Sequence, residues 1–293
     1  MSDAADAVIV GSGPNGLAAA ATLAAAGLRV LVIEGSATPG GGCRTEELTL
    51  AGFHHDVCST AHPLAVASSF FERFDLAARG VRIVHPEVVF AHPLEGGRGA
   101  AVTRSVPETA ASLGRDRRAY RRLFGPLAKH ADRLSAWIFS GERRPPSDPL
   151  ALAAYGLLGM RSAEGVSHRF ASEEARALFA GVSAHAMRPL TSPPTAGIGL
   201  LLTALAHAVG WPFIEGGSGQ LTAALAAALE AGGGSLETGQ WVSSLDQLPQ
   251  ARAVLLDVTP RQLLEIAGDR LRGRYRRTLE AFRYGSGVCK VDF

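Results

Sequence analysis

Apolar and polar positions divide the chain into three stretches. At the front, Ala7-Val8-Ile9-Val10 is an unbroken apolar run, the pattern of a strand buried on both faces of a sheet. It enters Gly11-Ser12-Gly13-Pro14-Asn15-Gly16, and Leu17 to Ala26 then reads as an Ala-rich helix. Gly27 stands where a helix-terminating glycine belongs. Val30-Leu31-Val32-Ile33 is a second buried-strand run and stops at Glu34. The spacing predicts a complete β-α-β unit with short connections.

From about Ser36 to Phe213 the pattern is less regular. Ser36 to Arg44 reads as a Gly-rich loop, and Phe53–Ser59 and Val81–Ala91 as strands. Arg115–Trp137 reads as one long helix with Arg117, Arg118, Arg121 and Arg122 on a solvated face. Gly141 to Pro149 is a Pro-rich linker, and helices are expected at Leu150–Gly159, Glu173–Ala180 and Ala196–Val209. The last of these is the longest apolar run, too short for a membrane span and interrupted by Thr203 and His207. It predicts a buried helix, with His207 a hydrogen-bonded core residue.

After Trp211 the α/β alternation returns. Gly216-Gly217-Ser218-Gly219 precedes an Ala/Leu helix, Gln220–Ala231, closed by Gly232-Gly233-Gly234. Ser235–Thr238, Trp241–Leu245 and Val254–Val258 are expected strands, and Thr259-Pro260 is a good cap and first-turn pair for a helix to Ala267. The fold class expected is α/β with an α+β insertion. Residues 1–65 and 212–268 form a discontinuous Rossmann-like domain, and 66–211 with 269–293 form part of a substrate or cap domain.

Composition narrows the classes. Of 293 residues, 47% are hydrophobic and 19% charged, which excludes a disordered chain. The 29 basic and 27 acidic residues leave a net charge of +2, so no bulk field attracts nucleic acid. Cys43, Cys58 and Cys289 stand far apart and make no C-x-x-C pair, so neither a zinc ribbon nor a dithiol centre is predicted. Met1 to Asp6 carries acids and no base, unlike a secretory or transit signal. A soluble, cytoplasmic protein with no transmembrane segment is expected, and a homo-oligomer is compatible with the sequence.

Gly11-x-Gly13-x-x-Gly16 follows a strand, opens a helix, and is answered by an acid at the end of the next strand, 18 positions after Gly16. Gly11 permits the tight turn, Gly13 lets backbone approach a pyrophosphate, and Gly16 allows close helix–strand packing. Ser12, Pro14 and Asn15 lie in the turn that opens a helix, whose N-terminus supplies amide donors and a positive dipole to phosphate. Glu34 can accept both hydroxyls of an adenosine ribose, and its charge disfavours a 2′-phosphate, so FAD or NAD fits better than NADP. A second Gly-rich stretch, Pro39-Gly40-Gly41-Gly42-Cys43-Arg44, follows the acid.

With these motifs the sequence resembles the FAD-dependent oxidoreductases that include amine oxidases and phytoene desaturases, of the glutathione-reductase/amine-oxidase fold type. The resemblance implies that Gly41, Gly42 and Arg44 contact the phosphates of FAD, that His62 lies where the chain approaches the flavin, and that Val242 passes the adenine. Gly52-Phe53-His54-His55-Asp56-Val57-Cys58-Ser59, the Pro212–Leu221 stretch and Tyr284–Asp292 are similar to the phytoene dehydrogenase-like branch. By that resemblance FAD takes a hydride from an apolar or amphipathic small molecule and passes the electrons to oxygen, a quinone or another acceptor. Relatives of this kind run on past Phe293 into a final Gly-rich segment that touches the flavin, so the chain is expected to be a C-terminally truncated fragment with an open sheet edge. No catalytic side chain is identified.

Other constellations carry less. His54, Asp56 and Cys58 would share one strand face with His55 on the other, so a metal site at these residues and His62 is not expected. No G-x-S-x-G elbow supports a hydrolase. The two rival readings are a NAD-dependent dehydrogenase built on the same fingerprint and a non-catalytic fragment of a FAD domain.

Overall fold

The computed structural model describes residues 5–139 and 145–292. Residues 141–144 of the expected linker, Met1 to Ala4 and Phe293 lie outside the described residues.

Strand β1 (Ala5–Val10) leads through the glycine turn into helix α1 (Pro14–Ala25) and strand β2 (Val30–Ile33). Short strands β3 (Thr45–Glu46) and β4 (His55–Asp56) precede α2 (Pro63–Val66) and α3 (Ser69–Phe74). Then come β5 (Ile83–Val84), β6 (Val88–Pro93) and β7 (Gly99–Thr103). Helices α4 (Val106–Ser112), α5 (Arg117–Lys129), α6 (Ala131–Phe139), α7 (Pro149–Gly159), α8 (Ala163–Ser167), α9 (Glu173–Ser183) and α10 (Thr195–Ala208) follow. The chain returns through β8 (Phe213–Ile214), α11 (Gly219–Ala231), β9 (Ser235–Glu237), β10 (Ala251–Leu256), α12 (Pro260–Ala267) and α13 (Gly273–Glu280).

Four parallel strands form the main sheet in the order β10-β1-β2-β9. The front β-α-β unit thus lies at its centre and the returning strands flank it. Alternation along the strands sorts the side chains. Ile9, Val30 and Val32 pack under Ala20 and Ala24 of α1 and Leu229 of α11, while Val8, Val10 and Ile33 pack with Val242 and Ile266 of α12 on the other face. Both faces are covered, as the continuous apolar runs require. Pro14 pre-sets the first turn of α1, and the small residues of α1 let α11 lie close beside it.

Helices α4–α10 and strands β6 and β7 enclose a second core built on Tyr120, Phe124, Phe170, Phe179, Leu200 and Leu205. At its centre, α10 is buried on nearly every side, as its uninterrupted apolar run predicts. His207 is satisfied there: Nδ1 lies 3.3 Å from the Arg104 carbonyl and Nε2 2.8 Å from the Tyr120 hydroxyl. A carbonyl can only accept, so Nδ1 carries the proton and Tyr120 donates to Nε2. Among the described residues no helix is long and apolar enough to cross a membrane.

Several elements differ from expectation, each for a local reason. Trp241–Leu245 is not a strand. Ser244 caps the turn at Leu245–Gln247 and Gln247 answers through Oε1, 2.7 Å from the Ser243 amide and 3.0 Å from the Ser244 amide, so side chains take the amides a ladder would need. The stretch Arg115–Trp137 is two helices separated at His130. There the imidazole lies 3.0 Å from Asp148, the residue that caps α7. Val81–Ala91 splits around Pro86, which has no amide to donate, and its halves join separate sheets: β5 pairs with β8 and β6 with β7. Only His55–Asp56 of Phe53–Ser59 is strand. The end of the chain at Lys290–Asp292, whose alternating pattern reads as a strand, has no regular secondary structure among the described residues.

Candidate dinucleotide site

The site lies at the carboxyl ends of β1 and β2, where the Gly11–Gly16 turn meets the second Gly-rich loop. Gly11 has φ +100°, and a methyl group there would stand 2.4 Å from the Asp257 carbonyl oxygen. A methyl on Gly16 would stand 2.3 Å from the Gly11 carbonyl oxygen, and one on Gly41 3.0 Å from the α-carbon of Gly13. The two glycine loops therefore touch backbone to backbone. Gly42 lies beside them, and Arg44 closes the loop with Nε donating to the Gly41 carbonyl at 3.1 Å and a terminal nitrogen 3.3 Å from Glu46.

Ser12 ties the parts together. Its amide and hydroxyl both donate to one oxygen of Glu34, at 2.8 and 2.7 Å, while the Ser36 amide donates to the other at 2.8 Å. The Gly40 amide donates to the Ser12 carbonyl at 3.0 Å and approaches its hydroxyl at 3.3 Å. Partial burial works against a charged Glu34, but the Ser12 hydroxyl and the Ser36 and Ser12 amides outweigh it and hold the carboxyl below its usual range. A fixed carboxylate results, with acceptor capacity left on the oxygen that takes only the Ser36 amide. Ser12 itself is fully buried with its donors used, so it positions the acid and the loops instead of presenting a side chain to a ligand.

Pro14 and Asn15 form the first turn of α1, and the Gly16 amide in that turn donates to the carboxylate of Asp257 at 2.7 Å. Asp257 directly follows β10 and was not among the residues expected from sequence, because its partner lies 241 positions away. A β-strand ending in an acid beside a returning Thr-Pro cap was the only signal.

His62 lies in a second network. Its Nε2 is 2.7 Å from the Ser218 hydroxyl, and that hydroxyl donates to the Ser59 carbonyl at 2.5 Å. The serine proton is thus committed, and Nε2–H of His62 donates to Ser218. Burial pushes the imidazole towards its neutral form, with Asp56 opposing. The Asp56 carboxylate accepts from the Ser218 amide and the Thr45 hydroxyl, both at 2.7 Å. This network bolts the loop before α11 to the Gly41–His62 segment. Asp56, weighed from sequence only as a metal ligand, and Ser218, seen only as part of a Gly-rich stretch, act here as supports.

Val242 is buried against Val8, Val10, Ile33 and Ile266 and sits in a loop, not in a strand. Among the described residues no group of three or more His, Cys, Asp or Glu side chains could hold a metal ion. Cys43 is buried, and burial, then Asp56 and Cys58, push its thiol up, so it is no nucleophile.

Residues 9–74 match the family model described as an NAD(P)-binding Rossmann-like domain. Among solved structures, an oxidoreductase from Methanosarcina mazei is 20% identical with TM-score 0.64, covering 94% of this chain and 64% of its own. Putrescine oxidase bound to putrescine is 24% identical with TM-score 0.59, over 93% of this chain and 62% of that one. The fold is Rossmann-like, of the FAD/NAD(P)-binding type with a helical insertion. A Rab GDI from Plasmodium falciparum shares it at 11% identity and TM-score 0.53, over 90% of this chain and 67% of that one. A fold common to proteins so named assigns no reaction by itself. The chain spans 64% and 62% of the length of these two oxidoreductase structures. No curated protein matches the chain.

Proposed function

We propose that the chain binds FAD and belongs functionally with the FAD-dependent oxidoreductases of the amine-oxidase superfamily, in the phytoene dehydrogenase-like branch that its sequence stretches resemble. The observation that carries this is the contact of Gly41 with Gly13. It makes one cradle of the two glycine loops. Glu34 would hold the adenosine ribose. Gly11, Gly13, Gly41, Gly42 and the first-turn amide of Asn15 would admit the phosphates to backbone, while Pro14 has no N–H to give and the Gly16 amide is held by Asp257. The Arg44 nitrogens left over from Gly41 and Glu46 supply a charge-assisted donor.

When bound, FAD supplies the hydride-accepting chemistry. The residues present would hold and orient it. His62, held neutral with Nε2 on Ser218, keeps Nδ1 as an acceptor and is the side chain to test beside the flavin. A cavity of about 200 Å³ is lined by Leu64, Ala67, Ala136 and Phe139 with Ser68, Ser69 and Ser135. Its lining is consistent with a small apolar or amphipathic substrate.

The purified protein should show flavin absorption after incubation with FAD. Removing Glu34 or Arg44 as Ala should weaken FAD retention roughly ten- to hundredfold, the equivalent of about 1.5–3 kcal/mol for a hydrogen bond to a charged group. Unchanged flavin content in both variants sinks the site assignment. The family model's description favours NAD as a second reading; saturable NAD binding with no FAD uptake would select it.

A further inference from the structure

Trp241 is 63% exposed, an unusual state for the largest apolar side chain. Its position is nonetheless fixed. A methyl group on Gly35 would meet the six-membered ring of Trp241 at 2.6, 3.2 and 3.6 Å, so the indole lies directly against the Gly35 backbone. Gly35 has no positive φ to explain its glycine; the room it leaves is occupied by the indole. The loop that carries Trp241 is stitched to the end of β2. The Gly239 amide donates to the Ser36 carbonyl and the Gln240 amide to the Glu34 carbonyl, both at 2.9 Å. Val242, the next residue, is rooted in the core beneath the sheet.

A rigid aromatic face is thus held one residue beyond the carboxylate that would take the ribose hydroxyls. In an adenosine the base is attached to the carbon next to that diol, so it must lie within a few ångströms of Glu34. We propose that the exposed indole face of Trp241 is the stacking platform for the adenine of the bound dinucleotide. This rests on the reading of Glu34 as the ribose acid. The assignment moves the adenine contact from Val242, whose side chain is buried, to its neighbour.

The test uses the full chain and two probes, FAD and ADP, which carries the adenosine half alone. ADP should quench part of the tryptophan fluorescence of the native protein. Trp241→Phe should abolish that quenching while calorimetry still shows ADP bound within about threefold of native affinity. Trp241→Ala should weaken both ADP and FAD about ten- to hundredfold, the loss expected for one stacked base. Native-like ADP and FAD affinity in a folded Trp241→Ala, with Glu34→Ala impaired, overturns the platform and leaves the cofactor reading standing. Failure of the native chain to take up either probe overturns both. Because Trp241→Phe keeps a ring on Gly35, a folding defect in the alanine variant does not hide the outcome.

Discussion

Ser12 shows how much one small side chain can organise. It holds Glu34 by two donors and receives Gly40, so Ser12→Ala should remove a hydroxyl that keeps the acid ionised and in place. FAD affinity should fall several-fold without loss of fold, measurable by flavin titration. Glu34 itself makes a pH prediction. Its folded pKa is lowered, so the stabilisation it gives is present above the ordinary glutamate range and is lost as pH falls through the lowered value. The stability difference between native protein and Glu34→Gln should therefore be largest near neutrality and shrink below about pH 4.3, as denaturant titrations at several pH values will show. The glycines and Glu34 were legible because their spacing is local. Asp257, Ser218 and Asp56 were not, since their partners are distant in sequence and nothing in the intervening pattern encodes the meeting.

At the scale of elements, caps decide outcomes that hydrophobic pattern leaves open. The helix starting at Pro260 was readable from Thr259, and the structure adds the reciprocal bond from Gln262. Thr259→Ala should cost about 1 kcal/mol, read as a lower thermal midpoint with cofactor affinity unchanged. The same kind of box at Ser244 and Gln247 explains why Trp241–Leu245, apolar enough for a strand, is none. The two strands of the front unit were legible because burial on both faces demands continuous apolar runs. Of those beyond Ser36, β9 and β10 were legible as well, while the two-residue strands β3, β4, β5 and β8 are set by turns and by prolines such as Pro86. The break at His130 likewise depends on Asp148, which no helical periodicity foretells.

Across the whole molecule, burial lowers the pKa of His62, His92 and His207. The unfolded chain takes up protons at these histidines near pH 6.5 while the folded protein resists, so the unfolded state binds more protons below that pH. Stability should fall as pH drops from 7.5 to 5.5, seen as an earlier urea midpoint at the lower pH. A rise over that range would contradict the burial of these imidazoles. The overall α/β alternation and the interrupted layout were visible in the sequence, yet the strand order β10-β1-β2-β9 was not, because lateral neighbours in a parallel sheet leave no mark on either strand.

The bond between Gly16 and Asp257, 241 positions apart, has a consequence for synthesis. At roughly 5–20 residues per second, a ribosome delivers Asp257 on the order of 10–50 s after Gly16. Until then β1 has one edge without β10, and the first turn of α1 lacks its acidic partner. The helical core, whose segments all lie between them, is translated and can collapse in the interval. The cradle therefore cannot close until the strand that ends at Asp257 has been made, after the whole helical core.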